Sequence, residues 1–127
     1  MTPDRITLAY NAEQGLFNAL NDWAHKFFSP ETYECTLCRY THGLHGMLMP
    51  WKKFIESLKF PALFLHQSEF RNRYPGLDIP LPAILVEFGG KLKVLLSAED
   101  IGAAGNLDGL MRAVRSRLDA EERRPGG

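Results

Sequence analysis

The two cysteines of the chain are the residues whose type and spacing most directly indicate chemistry. They form a Cys-x-x-Cys motif, Cys35-Thr36-Leu37-Cys38, in a sequence of 127 residues. A thiol pair at this spacing can form a disulfide, bind a metal ion or lie buried as two small apolar side chains. Residues three apart in a flat strand point to opposite faces. A functional pair therefore requires a turn or a helix start at Thr36-Leu37.

Two histidines follow the cysteines closely enough to suggest a zinc site. Cys35, Cys38, His42 and His45 lie within eleven residues and are ligand types that zinc binds tetrahedrally. Zinc fingers separate their two ligand pairs by about a dozen residues, whereas three residues separate Cys38 from His42. Because glycines flank the histidines, exposed loop positions are the favoured interpretation, and a structural zinc site is the alternative.

A second group of polar residues is predicted to meet at one edge of a sheet. Open α/β sheets bind ligands at the carboxyl ends of their strands. If residues 32–41 return toward that edge, the loop 43–49 lies beside the end of the first strand. The residues that would then line one ligand-binding cleft are Asn11, Glu13, Gln14, His42, His45 and Pro82. In the alternative interpretation, Asn11 caps a helix, and Glu13 and Gln14 only begin its first turn.

The charge balance argues against two classes of partner. Lys and Arg together number 15, and Asp and Glu together also number 15. A nucleic-acid-binding protein needs a basic field and a membrane-surface helix needs a basic amphipathic stripe, so neither partner is expected. No apolar run approaches the roughly 18 residues of a membrane span, and no signal-peptide core follows Met1. We therefore expect a cytoplasmic protein, in which two cysteines at this spacing indicate redox or metal chemistry.

The elements that must position these residues can be predicted from hydrophobic spacing. Ile6–Tyr10 is typical of a strand, and apolar residues at helical spacing predict a long helix over Ala12–Phe28. Residues 32–49 show neither the alternation of a strand nor the apolar spacing of a helix, so the sequence does not decide their backbone. Helical spacing predicts a short helix over Pro50–Leu58, since proline suits a first helical position. Ala62–His66 is a nearly continuous apolar run, which predicts a parallel strand buried on both faces.

The C-terminal half contains a β-hairpin and a last helix. The polar stretch Arg71–Ile79 is predicted to consist of turns. Ala83–Phe88 and Lys91–Leu96 are typical strands joined by a two-residue Gly-Gly turn. The small residues of Gly102–Gly105 predict a loop, after which Asn106 is expected to cap the last helix.

The length of the chain is that of one domain. We expect residues 1–120 to form this domain and residues 121–127, which are polar, to form a flexible tail. The apolar stripes of the helices, including Trp23 and Trp51, are assigned to the core. His66, at a strand end, is expected to be a structural histidine.

The hairpin region resembles a known family. From Pro82 to Lys91 the sequence reads Pro-Ala-Ile-Leu-Val-Glu-Phe-Gly-Gly-Lys. This segment resembles a segment of the thioredoxin-like superfamily. The order of elements along the chain also resembles that superfamily: strand, long helix, insertion, strand, irregular segment, proline, hairpin and terminal helix. The resemblance covers residues 5–28 and 60–118. It implies a thioredoxin-like α/β fold, a central mixed β-sheet flanked by helices, with an inserted Cys-x-x-Cys segment and helix. It also implies that Pro82 holds the cis position and faces the substrate site.

The position of the cysteines departs from that family. Redox-active thioredoxins carry Cys-x-x-Cys between the first strand and its helix, and here that slot holds Asn11-Ala12-Glu13-Gln14. The catalytic residues of thioredoxin therefore have no matching positions. The chain also looks like a group of uncharacterised small bacterial proteins that share a Tyr-Asn-Ala pattern and a later, displaced Cys-x-Leu-Cys.

The leading hypothesis is a thiol-disulfide redox or redox-sensing protein in which Cys35 and Cys38 are catalytic. A protein or a small-molecule thiol would be its partner, and no cofactor is indicated. One alternative is a non-catalytic thioredoxin-like module that binds a ligand at the vacated edge, and the other is the Cys/His structural zinc site. The sequence specifies no oligomeric state.

Overall fold

A mixed four-stranded sheet forms the centre of the computed structural model, which describes residues 2–11, 36–43 and 46–123. The strands of this sheet are β1 (Arg5–Ala9), β4 (Ala62–Leu65), β5 (Ala83–Phe88) and β6 (Lys91–Leu96). They lie in the order β4-β1-β5-β6, with β1 parallel to β4 and antiparallel to β5, and with β5 antiparallel to β6. Two short strands, β2 (His42–Gly43) and β3 (Gly46–Met47), form a separate antiparallel pair.

Five helices surround the sheet in the described part of the chain. They are α1 (Thr36–Thr41), α2 (Met49–Glu56), α3 (Gln67–Arg73), α4 (Ala98–Ala104) and α5 (Leu107–Arg123). The fold is therefore a small α/β arrangement in which helices flank a mixed sheet, as expected from the sequence. The predicted long helix over residues 12–28 lies outside the described residues.

Alternate residues of β1 face two different cores. Ile6, Leu8 and Tyr10 are fully buried in a large cluster beneath α1, α2, α4 and α5. Ala9 belongs to a second, smaller cluster on the opposite face, beneath α3. Trp51 of α2 is fully buried in the large cluster, so its assignment to the core is confirmed, whereas Trp23 lies outside the described residues.

Three elements follow local signals that were visible in the sequence. The β5–β6 hairpin has the predicted bounds, and Gly89 (φ 56°) and Gly90 (φ 86°) both occupy the left-handed region that this type of turn requires. Asn106 caps α5, because its Oδ1 accepts a 2.8 Å hydrogen bond from the Gly109 N–H. The predicted helix near Pro50 is α2, with proline in its first turn.

Two helices replace segments that were predicted to be irregular. Helix α3 extends three residues into the Arg71–Ile79 stretch, and α4 includes most of the predicted Gly102–Gly105 loop. The prediction holds for Tyr74–Ile79, which is irregular, but it is wrong for Arg71–Arg73 and for most of Gly102–Gly105. The reason is the same in both places. Each helix has seven residues, too few for clear apolar periodicity, and each begins with a reciprocal capping box between its N-cap residue and its third residue.

The burial predicted for β4 is also wrong in part. The strand is parallel to β1 as expected, but only Leu65 is buried, and Ala62, Leu63 and Phe64 are half-buried. The reason is that β4 lies at the edge of the sheet, where no further strand pairs with it in the described structure. At the other end of the chain, α5 runs to Arg123, three residues into the segment expected to be a tail. Glu121 there pairs with Lys93 of β6.

Candidate functional site

The predicted ligand edge is the end of the sheet where β1 and β4 finish and β5 begins. The register pairs Ala9 with Leu65 on one side and with Ala83 on the other. Tyr10, His66 and Pro82 are the next residues along the three chain segments at this end, and the Tyr10 N–H donates a 2.9 Å hydrogen bond to the Leu65 carbonyl. We call this end of the sheet, with Tyr10, Asn11, His66 and Pro82, the carboxyl edge.

A buried hydrogen-bond chain connects the carboxyl edge to α1, the helix that contains Cys38. Tyr10 and Thr41 are both fully buried, and their hydroxyl oxygens lie 3.4 Å apart. The Thr41 hydroxyl donates its single hydrogen to the Leu37 carbonyl at 2.7 Å. Since that hydrogen is engaged, the Tyr10 hydroxyl is the donor in the contact with Thr41. The end of β1 thereby holds the last residue of α1.

Further contacts fix the position of α1 against the rest of the fold. Leu37 is fully buried in the large core. The Tyr40 hydroxyl donates to the Gly102 carbonyl of α4 at 3.2 Å, and the Thr41 carbonyl accepts from the Leu48 N–H at 2.8 Å. Residues 37, 40 and 41 are spaced so that they share one face of a helix. A short helix, which would be marginal in isolation, is thus stabilised by its tertiary contacts.

The predicted catalytic residues are only partly within the described structure. Cys38 is the third residue of α1, so the backbone at Thr36-Leu37 is helical rather than extended. Cys35, directly before this helix, lies outside the described residues. The disulfide interpretation required a turn or a helix start at Thr36-Leu37. The backbone of Thr36, Leu37 and Cys38 is helical and meets this requirement.

The predicted ligand-binding residues are similarly divided. Asn11 is half-buried and follows Tyr10, and Pro82 is buried, with a cis peptide bond to Leu81 as the family resemblance implied. His42 is the first residue of β2 and directly follows α1. Glu13, Gln14 and His45 lie outside the described residues. The structure therefore brings Asn11 and Pro82 to the same end of the sheet, while a cleft lined by the whole set stays a prediction.

His66 at the carboxyl edge is a structural residue. Its Nδ1 accepts a hydrogen bond from the Glu69 N–H at 3.3 Å, and the Glu69 carboxylate accepts one from the His66 N–H at 3.3 Å. This reciprocal arrangement caps the N-terminus of α3. With a relative exposure of 7%, His66 is buried. The expectation of a structural histidine is confirmed, and Glu69 is the partner that the sequence did not reveal.

A second capping box follows β6 and perturbs a carboxyl group. The Ser97 N–H donates to the Asp100 carboxylate at 3.1 Å, and the Asp100 N–H donates back to the Ser97 hydroxyl at 3.1 Å. The backbone hydrogen bond from Ser97 is the main cause that holds the pKa of Asp100 below its ordinary value. Smaller contributions come from the Ser97 hydroxyl and Arg117, and partial burial opposes them. This carboxylate therefore stabilises the start of α4.

No group of three or more His, Cys, Asp or Glu in the described structure could hold a metal ion. Two of the four predicted zinc ligands, Cys35 and His45, lie outside it, so the zinc alternative stays a prediction. Across residues 2–11, 36–43 and 46–123, no helix is long and apolar enough to cross a membrane.

A cleft away from the carboxyl edge was not anticipated from the sequence. It has a volume of about 150 Å³ and lies between the segment that follows α2 and the outer face of α5, where Lys59, Arg115 and Asp119 contribute to its lining. The Arg115 guanidinium lies 5.2 Å from the centre of the Phe54 ring. Charges of both signs line this cleft, and Arg115 and Asp119 are exposed, so it selects no class of ligand.

Comparisons with known proteins add no further residue assignment. No family model, no curated protein and no solved structure matches the chain. The assignment of function therefore depends on the geometry described above.

Proposed function

We propose that the chain is a thioredoxin-like protein that performs thiol-disulfide exchange, or senses redox state, with Cys35 and Cys38. The observation that carries the proposal is the helical backbone from Thr36. Residues three apart on a helix lie on one face. A helix start at this point therefore favours an arrangement in which the two thiols approach each other, which an extended strand would forbid.

The surrounding fold supports the thioredoxin-like part of the proposal. A cis proline precedes β5, a glycine turn joins β5 to β6, and helices follow β6. This is the order of elements that the family resemblance implies for residues 82–118. The proposal differs from ordinary thioredoxins in the location of the Cys-x-x-Cys motif, because Cys38 lies in α1, a helix that Tyr10 and Thr41 hold at the carboxyl edge.

The proposed reaction transfers two electrons between this dithiol and a disulfide of the partner. One cysteine, as the thiolate, attacks a sulfur of the partner disulfide, and the partner's other sulfur leaves as a thiolate and takes up a proton. The second cysteine then loses its proton and attacks the mixed disulfide. The Cys35–Cys38 disulfide forms, and the partner's remaining sulfur is released as a thiol. The partner disulfide is reduced, the protein dithiol is oxidised, and the reverse sequence restores the dithiol.

Thiol titration under native conditions tests this proposal. We expect both thiols to react in the reduced protein and neither to react after oxidation, with reductant restoring both. The mass of the oxidised chain should be lower by two hydrogen atoms, and Cys35→Ser and Cys38→Ser should each abolish this change.

Two other outcomes would overturn the redox proposal. Thiols that stay unreactive in the folded protein and become reactive only on unfolding would identify buried structural cysteines. Zinc released by a chelator together with newly reactive thiols would identify the metal site instead. Circular dichroism of each serine variant, compared with the wild type, verifies that the fold is intact.

A further inference from the structure

Within the described part of the chain, the outer edge of β4 has backbone groups that bond to no other strand. In the ladder with β1, the Ile6 N–H donates to the Pro61 carbonyl and the Tyr10 N–H donates to the Leu65 carbonyl. In a parallel ladder, successive residues direct their backbone groups to opposite sides of the strand. Leu63 and Leu65 therefore bond to β1, while the N–H and C=O groups of Ala62 and Phe64 point away from the sheet. The described structure contains no hydrogen bond from these two residues.

The opposite edge of the same sheet is protected. Lys91 and Lys93 place charges on β6, and the Arg117 guanidinium donates a 3.1 Å hydrogen bond to the Leu95 carbonyl. Charged side chains and covering groups are the usual means by which an edge strand avoids pairing with another chain. The β4 sequence, Ala-Leu-Phe-Leu, has no charged residue, and its first three side chains are half-buried. Among the residues that the structure describes, β4 is therefore the edge that lacks such protection.

We infer that β4 pairs with β4 of a second copy of this chain, in antiparallel orientation, to form a symmetric dimer with a continuous eight-stranded sheet. A two-fold axis at Leu63 places Ala62 opposite the partner's Phe64. In this register the two residues exchange both of their backbone hydrogen bonds, and by symmetry every outward group of both strands is paired. Pro61 does not interfere, because its position faces β1 rather than the partner.

Charge complementarity favours a second copy as the occupant of this edge. The nearest charged residue before β4 is Lys59, and the nearest after it is Glu69, and both are exposed. Antiparallel self-pairing brings the basic end of one strand beside the acidic end of the other, in both halves of the dimer. Strand pairing alone buries less surface than a standard stable interface, so the dimer is expected to be reversible and dependent on concentration.

Analytical ultracentrifugation of the full chain, with reductant present, tests the inference. The reductant excludes dimers that are linked through Cys35 or Cys38, so the result is independent of the proposed redox function. We expect the wild type to associate and Ala62→Pro to associate about 30-fold more weakly, because each copy loses one donor and two ladder hydrogen bonds disappear. Proline is tolerated at this position of an edge strand, where the N–H faces outward. Val94→Lys, on the opposite edge at an exposed position, is the matched control and should associate like the wild type.

Cross-linking provides a second measurement that does not depend on the proline variant. In the proposed register Leu63 faces the partner's Leu63 as a non-hydrogen-bonded pair, with Cα atoms about 4.5 Å apart, within disulfide range. In a Cys35→Ser/Cys38→Ser background, Leu63→Cys should oxidise to a covalent dimer, whereas Val94→Cys should stay monomeric. Any of three results would overturn the inference. The first is a wild type that stays monomeric at every concentration, even if its β4 edge binds an extended peptide. The others are a dimer whose association Ala62→Pro does not change, and equal cross-linking of Leu63→Cys and Val94→Cys.

Discussion

Replacing Gly109 with alanine should destabilise the protein, although alanine is the better helix former. Gly109 is the third residue of α5 and lies against the end of α4. A Cβ atom at this position would lie 2.1 Å from the Ala104 carbonyl oxygen and 3.3 Å from Asn106 Oδ1. The nearer atom belongs to the backbone and cannot rotate away as a flexible side chain would. We therefore expect the start of α5 to shift away from α4, which also weakens the Asn106 cap.

The magnitude follows from three contributions to the free energy of unfolding. In an unstrained helix, glycine to alanine stabilises by about 1 kcal/mol. Overpacking of a tight contact costs about 1–3 kcal/mol, and loss of an N-cap costs about 1 kcal/mol. The net expectation for Gly109→Ala is a loss of about 1–3 kcal/mol. For a chain of this length, a change of 1 kcal/mol corresponds to roughly 4 °C in Tm.

Gly102→Ala is the matched control, because Gly102 lies within α4 and a Cβ atom there meets nothing within 4 Å. This variant should be more stable than the wild type by up to about 1 kcal/mol. Urea denaturation followed by circular dichroism measures both variants and the wild type under the same conditions. If Gly109→Ala proves as stable as the wild type or more stable, the result would contradict the close approach of Gly109 to the Ala104 carbonyl.

Three further predictions concern caps and the hairpin. His66→Ala removes the N-cap of α3 and should lower the free energy of unfolding by about 1 kcal/mol, whereas His66→Asn supplies another capping oxygen and should lose less; equal losses in urea denaturation would argue against the cap. The pKa of Asp100 is below the ordinary 3.8, so its carboxylate should stabilise the folded protein above about pH 4. This contribution should be lost as the pH falls from about 4 through the folded pKa. Asp100→Asn should therefore make stability less dependent on pH in this acidic range, and an unchanged profile would remove Asp100 as a cause. Gly90→Ala places a Cβ atom at φ 86° and should destabilise the hairpin by about 1–2 kcal/mol, measured by thermal denaturation; an unchanged Tm would contradict the turn geometry.

The buried pair of Tyr10 and Thr41 changes how the Cys-x-x-Cys segment is understood. In the sequence, residues 32–49 showed no periodicity, and Tyr10 was only the last residue of a strand. In the fold, Tyr10 meets Thr41 31 positions later in the chain and holds α1 at the carboxyl edge. A six-residue helix has too few internal hydrogen bonds to form by itself. The contacts of residues 37, 40 and 41 with distant parts of the chain supply the stabilisation that its own sequence lacks.

Elements governed by local backbone preferences were determined by the sequence itself. Two adjacent glycines between two strand-like runs specify the β5–β6 turn, Asn106 specifies the start of α5, and proline marks the start of α2. Each of these signals acts over a few residues, through allowed φ and ψ values or a hydrogen bond to a nearby N–H.

Only the tertiary structure decided which strand lies at the edge and which short segments become helical. The position of β4 beside β1 depends on pairing between residues more than fifty positions apart. The apolar sequence of β4 suggested full burial, whereas in the described sheet it is the edge strand and its first three side chains are half-buried. Likewise, α4 forms across Gly102 because its capping box and its packing against β6 and α5 outweigh the low helix propensity of glycine. Pairing and packing of this kind act between distant residues, and sequence spacing alone does not contain them.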